Sequence, residues 1–194
     1  MADEFPGVKI EALSSNYTLY GDMSARIMAI VRMYAPRVEV YSIDECFCDL
    51  TGMEQTFDLK QWGEDLAARI KKWVGMPVSI GIGPTKTLAK VASRYAKIYA
   101  GYNKCCVIDT ESKRRKDLSA FPIGKVWGIG RAYVAKLESC GCRMALDVAD
   151  KPQGWIRMLF TLPFENTTQT ARGFHVFPPN ALSIFAVSFA VTGS

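Results

Sequence analysis

Apolar and polar residues alternate along residues 37–52, RVEVYSIDECFCDLTG, as they do in two short β-strands. β-Branched and aromatic residues recur at every second position on both sides of the adjacent acids Asp44 and Glu45, and Thr51 and Gly52 end the run. The pattern therefore predicts a hairpin whose turn carries both acids. Two neighbouring carboxylates repel each other and resist desolvation, so we expect this turn to bind a cation.

The rest of residues 1–110 alternates between helical and strand periodicity. The predicted elements are a helix over about 23–35, the acidic hairpin, a helix over about 58–74, a strand over 78–82, a helix from 84 to about 99, and a strand over 104–108. Asp22 or Ser24 can cap the first helix and Pro36 ends it, while Pro84 suits the first turn of the third. The order αββαβαβ mixes hairpins with crossovers. It favours an α+β fold, a mixed or antiparallel sheet with covering helices, over a doubly wound parallel sheet.

Two further patterns concern the second helix and the second half of the chain. The second helix has an apolar stripe that should be buried, formed by Leu59, Trp62, Leu66, Ile70 and Trp73.

Residues 109–118 are polar and charged, which is typical of a domain boundary. From residue 119 to about 160, apolar residues recur at helical spacing in short pieces separated by glycine, which predicts a small all-helical module.

The composition is that of a globular protein, with 49% hydrophobic and 22% charged residues. Six cysteines lack zinc-knuckle spacing and the chain has one histidine, so reduced thiols are expected rather than a metal–thiolate site. The N-terminus has no signal-peptide pattern, and the longest uncharged apolar run, 181–191, is shorter than the ~20 residues of a membrane span. We therefore predict a cytoplasmic protein without a membrane partner.

Clustered acids are the first candidate site. Asp44, Glu45 and Asp49 fall within six residues of one another. Mg²⁺ prefers oxygen ligands and is often held by one or two carboxylates together with substrate phosphates, as in two-metal phosphoryl transfer. The alternative is a solvated turn followed by an ordinary acid near a strand end. The spacing by itself does not decide between them.

A cationic helix face is the second candidate. On a helical wheel, four bases share a sector of ~80°, opposite an apolar side: Lys86, Lys90, Arg94 and Lys97. No acid lies along this face, and residues 77–108 contain no acid at all. The face therefore favours binding to phosphate over a plain solvated surface. The preceding glycines do not complete a GxGxxG dinucleotide motif.

The segment VWGIG, residues 126–130, is the third candidate. Alternating glycines let the backbone approach a phosphate closely, and a following helix N-terminus offers free N–H groups. Lys125, Arg131 and Lys136 nearby favour a nucleic-acid contact over an ordinary helix–helix turn. Together, the three candidates suit an enzyme that handles a polynucleotide and a triphosphate.

Several of these motifs resemble a known family. YSIDECFCDLTG and PVSIGIGPTKTLAKVASRYAK are similar to the catalytic palm of the Y-family translesion DNA polymerases, most closely the UmuC-type subfamily of bacterial SOS mutagenesis. FPIGKVWGIGRAYVAKLESCGC resembles the thumb with its helix-hairpin-helix, and LSSNYTLYGDMSARIM resembles the segment that leads into the palm. The likeness covers about residues 11–173. It implies a partial palm at 1–110, a thumb at 111–173, and a degraded start of the little-finger domain or a disordered tail at 174–194.

The resemblance also implies residue roles. Asp44 and Glu45 would be catalytic and bind Mg²⁺ in a two-ion site, and Lys97 would contact the incoming triphosphate. The implied DNA-binding residues are Lys86, Lys90, Arg94, Gly128, Gly130 and Arg131. The implied partners are primer–template DNA and dNTP, with a UmuD-like dimer, RecA and the sliding clamp as further possibilities. The reaction would be attack of a primer 3′-hydroxyl on the α-phosphate during damage tolerance and DNA repair.

The chain departs from the family pattern in one respect that bears on activity. The family's first metal aspartate and fingers precede the segment matched here, so we expect the 194-residue chain not to polymerise by itself. One alternative is a non-catalytic DNA-binding remnant. Another is a palm-type nucleotidyl cyclase, against which the Gly128–Gly130 hairpin argues because a cyclase holds no duplex.

Overall fold

The computed structural model describes residues 14–159 and 184–189, and a mixed five-stranded sheet lies at its centre. The strands are β1 (Arg37–Val40), β2 (Glu45–Asp49), β3 (Val78–Gly83), β4 (Cys105–Val107) and β5 (Ile184–Phe189). Their order across the sheet is β1-β2-β5-β3-β4. β3 and β4 are parallel, and the other neighbouring strands are antiparallel. The predicted mixed sheet is confirmed.

Seven helices occur within the described residues. They are α1 (Tyr17–Tyr34), α2 (Leu59–Val74), α3 (Lys86–Ile98), α4 (Glu111–Ser119), α5 (Arg131–Ser139), α6 (Ala145–Ala149) and α7 (Gln153–Leu159). Single 3-10 turns occupy Met53–Gln55, Ala100–Tyr102 and Ile123–Lys125. No helix in 14–159 is long and apolar enough to cross a membrane.

The predicted starts of two helices were wrong. α1 begins at Tyr17 rather than near residue 23, because the side chain of Asn16 accepts a hydrogen bond from the Leu19 N–H at 3.0 Å and caps the helix. Asp22 lies inside the helix and pairs with Arg26. α3 is capped by Thr85, so Pro84 precedes the helix instead of entering its first turn. Short polar side chains near a helix start compete as caps, and sequence pattern does not rank them.

The two faces of β3 explain how the layers pack. Val78, Ile80 and Ile82 join a core with apolar residues of α1 and α2. The alternate residues are small, and Gly81 lies directly against the backbone of α3. Since successive strand residues point to opposite faces, the sequence VSIGIG presents one branched face and one nearly flat face. α1 and α2 therefore cover the first face, and α3 lies close on the second.

The buried stripe of α2 is shorter than predicted. Trp62, Leu66 and Ile70 are buried, whereas Trp73 is 51% exposed. The guanidinium of Arg69 lies over the Trp73 ring, 4.8 Å from its centroid. Trp73 therefore lies on the solvent side of the last turn of α2, whereas Val74 of the same turn packs against the core.

A second core joins α3 to the helical module of residues 111–159. Val91 and Tyr95 of α3 belong to one apolar cluster with Phe121 and Leu137 of the module. The Tyr95 hydroxyl also donates a hydrogen bond to the backbone carbonyl of Asp117 at 2.7 Å. The polar segment predicted as a domain boundary therefore forms α4, which contacts α3 through Asp117 and joins the shared core through Leu118.

β5 was not predicted. It lies in the middle of the sheet, paired to β2 on one side and to β3 on the other. Residues 184–189, for which the sequence predicted a degraded little-finger start or a disordered tail, thus form a strand, and the remainder of 174–194 lies outside the described residues. An isolated apolar run does not reveal strand partners that are about a hundred residues away in the chain.

Candidate nucleotidyl-transfer site

The turn between β1 and β2 presents Asp44 and Glu45 side by side. The N–H groups of Tyr41 and Ser42 both donate to the Glu45 carbonyl at 3.0 Å and close the turn. The Ser42 hydroxyl donates to the Asp44 carboxylate at 2.6 Å. Both acids are half-buried. The structure thus confirms that both predicted acids lie together on a hairpin turn, and we call 41–45 the acidic turn.

Lys90 of α3 is the partner of Glu45. The two side chains form an ion pair in which Lys90 is 16% and Glu45 22% exposed. One turn earlier, Lys86 pairs with Glu39 of β1 at 2.6 Å. The prediction of a uniformly cationic face without acids was therefore wrong for these two lysines. A helical wheel compares residues of one helix only, and here the acids come from the neighbouring hairpin.

Arg94 and Lys97 continue the basic face of α3 toward the end of the sheet at which the acidic turn lies. In the sheet, Glu45 is aligned with Ser188, and Ser188 with Ser79. The Ser93 hydroxyl of α3 donates to the Ser79 carbonyl, so Ser93 is level with Glu45, and the later residues of α3 lie beyond it. Arg94 and Lys97 are exposed, and neither forms an ion pair within 14–159. α3 therefore places two open cations on the side of the sheet where the acids lie.

Asp49, the third acid of the predicted cluster, lies at the far end of β2. It pairs with Arg37 and accepts hydrogen bonds from Thr51. Burial by itself would raise the pKa of Asp49, but these bonds and the Arg37 charge outweigh it and lower the pKa. Asp49 lies four positions after Glu45 along the strand, a distance of about 13 Å. Asp49 is thus a structural acid rather than part of the acidic turn.

The acidic turn offers the right kind of ligand for Mg²⁺, although not a complete cage. One Asp44 oxygen accepts from Ser42 and one Glu45 oxygen pairs with Lys90, which leaves the second oxygen of each carboxylate without a hydrogen bond in the described part of the chain. One or two carboxylates with substrate phosphates are a usual Mg²⁺ site. No group of three acids, cysteines or histidines suited to a metal occurs in 14–159. The residues fit one ion held jointly with a substrate.

An aromatic cluster connects the acidic turn to the VWGIG segment. The Trp127 ring packs edge-on against Tyr41 at 5.6 Å and lies 5.7 Å from Phe47, measured between centroids. The Lys86 ammonium lies over the Phe47 ring, 4.9 Å from its centroid. The sequence did not predict this role of Tyr41 and Trp127. The only signal was two large rings next to the candidate motifs.

The loop that contains Trp127, residues 126–130, leads into the N-terminus of α5, which has no side-chain cap. Gly128 has a φ of +87°, a left-handed conformation that favours glycine. Gly130 is the N-cap of α5 and provides no side-chain cap for the first N–H groups of that helix, which begins at exposed Arg131. The element before the loop is a single 3-10 turn rather than the expected α-helix. The predicted helix-hairpin-helix therefore stays a prediction.

Replacing Trp127 with alanine should detach this loop from the acidic turn. Loss of two ring pairs and of the buried indole area should lower the free energy of unfolding by about 2–3 kcal/mol. Urea denaturation measures this loss of unfolding free energy. The rate of amide hydrogen exchange should rise in residues 41–45 and 126–130 together. Trp73→Ala is the matched control, because that ring is 51% exposed and should cost about 1 kcal/mol or less. Equal losses in both variants would contradict the contact's role.

The chain is similar in sequence to known proteins. Residues 3–94 match the model of the impB/mucB/samB family. The chain is 39% identical to protein UmuC of Salmonella typhimurium over 165 residues, which are 84% of this chain and 39% of UmuC. It is 32% identical to DNA polymerase IV of Desulfatibacillum aliphaticivorans over 169 residues, 84% of this chain and 41% of that protein.

Solved structures share the fold of this chain. The insertion ternary complex of Dbh DNA polymerase matches with a TM-score of 0.69 and 22% identity, over 84% of this chain and 47% of Dbh. The chain spans about two fifths of the length of the curated relatives it matches. Residues 3–94 thus match the impB/mucB/samB family, and the chain is similar in sequence to UmuC and in fold to Dbh DNA polymerase.

Proposed function

We propose that this chain supplies the palm and thumb of a translesion DNA polymerase, with primer–template DNA and dNTP as substrates and Mg²⁺ as cofactor. The observation that carries the proposal is the acidic turn, in which Asp44 and Glu45 lie beside the basic face of α3. The relatives named UmuC and DNA polymerase IV support the same activity.

Each part of the site has a role in this proposal. Asp44 and Glu45 hold Mg²⁺, which when bound neutralises charge that develops on the transferring phosphoryl group. Arg94 and Lys97 are the open cations of α3 and attract the triphosphate. Lys86 and Lys90 keep the basic face aligned with the hairpin through their ion pairs.

The 126–130 loop holds the duplex. Gly128 and Gly130 let the DNA backbone approach, and the uncapped N–H groups of α5, with Arg131, bind its phosphates. Contacts of this kind position a duplex without reading its sequence. Because Trp127 packs on Tyr41, a duplex held by this loop lies at a set distance from the acidic turn.

We further propose that the 194-residue chain does not extend a primer unaided. A two-metal centre needs ligands for both ions, and no third acid joins Asp44 and Glu45 within 14–159. Primer extension by the purified chain with Mg²⁺ and all four dNTPs should give no product, while binding to the same primer–template persists and weakens steeply with salt. Template-dependent extension would overturn this part of the proposal.

A non-catalytic DNA-binding role is the second candidate, and the Lys90–Glu45 ion pair favours it because Glu45 already has a cationic partner. The double variant Asp44→Ala, Glu45→Ala separates the two functions. A polymerase site loses Mg²⁺-dependent dNTP binding in this variant, whereas a purely DNA-binding protein is unaffected. If neither the native chain nor the double variant binds duplex DNA, the result would instead favour the nucleotidyl cyclase alternative.

A further inference from the structure

Tyr41, the first residue of the acidic turn, is held in place by two other rings and yet is half open to solvent. Its ring packs edge-on against Phe47 at 5.7 Å and against Trp127 at 5.6 Å, measured between centroids. The residue is nevertheless 51% exposed, and its hydroxyl makes no hydrogen bond within the described residues. A ring fixed by two neighbours loses little conformational freedom when a ligand covers it, so Tyr41 presents a preorganised contact surface.

The Tyr41 ring lies on the α3 face of the sheet, beside the second acid of the turn. It packs on Phe47, which contacts Ala89 of α3 and lies under the Lys86 ammonium. The N–H of Tyr41 donates to the Glu45 carbonyl at 3.0 Å, so the two residues are level with each other. Tyr41 is therefore a direct neighbour of a proposed Mg²⁺ ligand, on the face of the sheet that the basic helix covers.

The two groups of residues proposed to bind phosphates lie on opposite sides of the acidic turn. Ser93 is level with Glu45, and the open cations of α3 lie beyond it in the direction of the helix C-terminus. Trp127 packs on Phe47, which is two residues after Glu45 along β2 and thus in the other direction. The acidic turn is therefore between the proposed triphosphate site and the 126–130 loop, and Tyr41 contacts the loop side.

This order determines which DNA strand passes Tyr41. In the proposed reaction the primer 3′-hydroxyl lies at the acidic turn, and the triphosphate that it attacks extends toward the open cations of α3. The preceding primer nucleotides then lie between the turn and the 126–130 loop, where the Tyr41 ring is. Three nucleotides advance by about 10 Å along the duplex axis, so a side chain of the turn itself reaches only the last few primer phosphates.

The charges around Tyr41 leave its hydroxyl as a neutral donor for these phosphates. Lys86 and Lys90 are each paired with an acid of the hairpin, and Asp44 adds a negative charge that repels DNA until Mg²⁺ is bound. Exposed Arg131 attracts the strand from the loop side. The Tyr41 hydroxyl bonds to neither acid of the turn, and tyrosine hydroxyls are among the common donors to DNA phosphates.

We propose that Tyr41 is a primer-contact residue, whose hydroxyl donates a hydrogen bond to one of the last three phosphates of the primer strand while its ring packs against the adjoining deoxyribose. The proposal rests on the function proposed above, because it requires the primer end to lie at the acidic turn. It adds a substrate contact to the role of the same ring in holding the 126–130 loop, and a variant that keeps the ring separates the two roles.

Tyr41→Phe tests the contact, because it removes the hydroxyl and keeps both ring contacts. The variant should melt within about 2 °C of the native sequence and bind a primer–template in Mg²⁺ about three- to tenfold more weakly. The slope of log affinity against log salt should not change, since no charge is lost, whereas Arg131→Gln should reduce it by about one. Tyr99→Phe is the matched control, because Tyr99 is 54% exposed and packs on Tyr95 and Tyr102. It should bind the DNA as tightly as the native chain.

A neutral methylphosphonate, placed in turn at each of the last three primer linkages, locates the contact. At the contacted linkage the native chain should lose at least about threefold in affinity, and Tyr41→Phe should lose clearly less, because both changes remove the same hydrogen bond. Methylphosphonates in the template strand should leave the effect of Tyr41→Phe unchanged. Native affinity for the unmodified primer–template in Tyr41→Phe, or independent losses at all three linkages, would overturn the proposal. If the native chain binds no primer–template at all, the proposed polymerase function fails as well, so the two failures are distinguishable.

Discussion

Gly81→Ala should be among the most destabilising single substitutions in this chain, with a loss of about 3 kcal/mol or more in the free energy of unfolding. A methyl group at Gly81 would lie 2.0 Å from the Ala89 carbonyl oxygen and 2.1 Å from the Ser93 nitrogen. Both are backbone atoms of α3, so no side-chain rotation can relieve the clash. The helix has to move away from the sheet, which also breaks the hydrogen bond from the Ser93 hydroxyl to the Ser79 carbonyl.

Thermal unfolding measures this prediction, with an expected fall of about 6–12 °C for a chain of this size. Gly21→Ala is the matched control: an alanine there meets no atom within 4 Å, and it lies inside α1. It should stabilise the protein by up to about 1 kcal/mol. If the two variants melt within 2 °C of each other, α3 is not packed on β3 as closely as described.

Lys90→Met should have opposite effects on stability and on metal binding. Glu45 is 22% exposed and would lose its ionic partner, so the free energy of unfolding should fall by about 1–3 kcal/mol. The same change removes a positive charge that competes with a divalent ion for the Glu45 carboxylate. At a separation of a few ångströms this repulsion is about 2 kcal/mol even in water, so Mg²⁺ affinity should rise roughly tenfold. Calorimetric titration with Mg²⁺ measures the affinity.

Lys86→Met is the control for this prediction. It removes the same charge from the same helix face, but its partner Glu39 is 59% exposed and lies outside the acidic turn. We expect a stability loss of about 1 kcal/mol or less and nearly unchanged Mg²⁺ binding. Equal Mg²⁺ affinity in the two variants would show that the acidic turn does not hold the ion.

Local patterns in the sequence were enough to predict most of the sheet and the position of the acids. Strict alternation through 37–52 predicted the hairpin, and β1 and β2 lie within it with Asp44 in the turn and Glu45 beginning β2. The same reasoning identified β3 and α3, because a strand period gives way to a helix period at Pro84 and Thr85. Elements of this kind are governed by neighbours in the chain, so a single sequence reveals them.

Contacts between distant segments could not be predicted in this way. The acids that pair with Lys86 and Lys90 are more than forty residues away from them, and a helical wheel does not include them. β5 in the centre of the sheet and the packing of Trp127 on Tyr41 are of the same kind. Each depends on which surfaces meet after the chain has folded.

By itself, the sequence determined that Asp44 and Glu45 share a turn and that a basic helix follows a glycine-containing strand. Only the tertiary structure decided that the two features meet, with Lys90 paired to Glu45, and that Asp49 is separated from them by the length of β2. The physical reason is that periodicity reports which side of an element is apolar. The partner of a charged side chain is set by the register of the sheet and by the distance at which glycine lets α3 lie on β3.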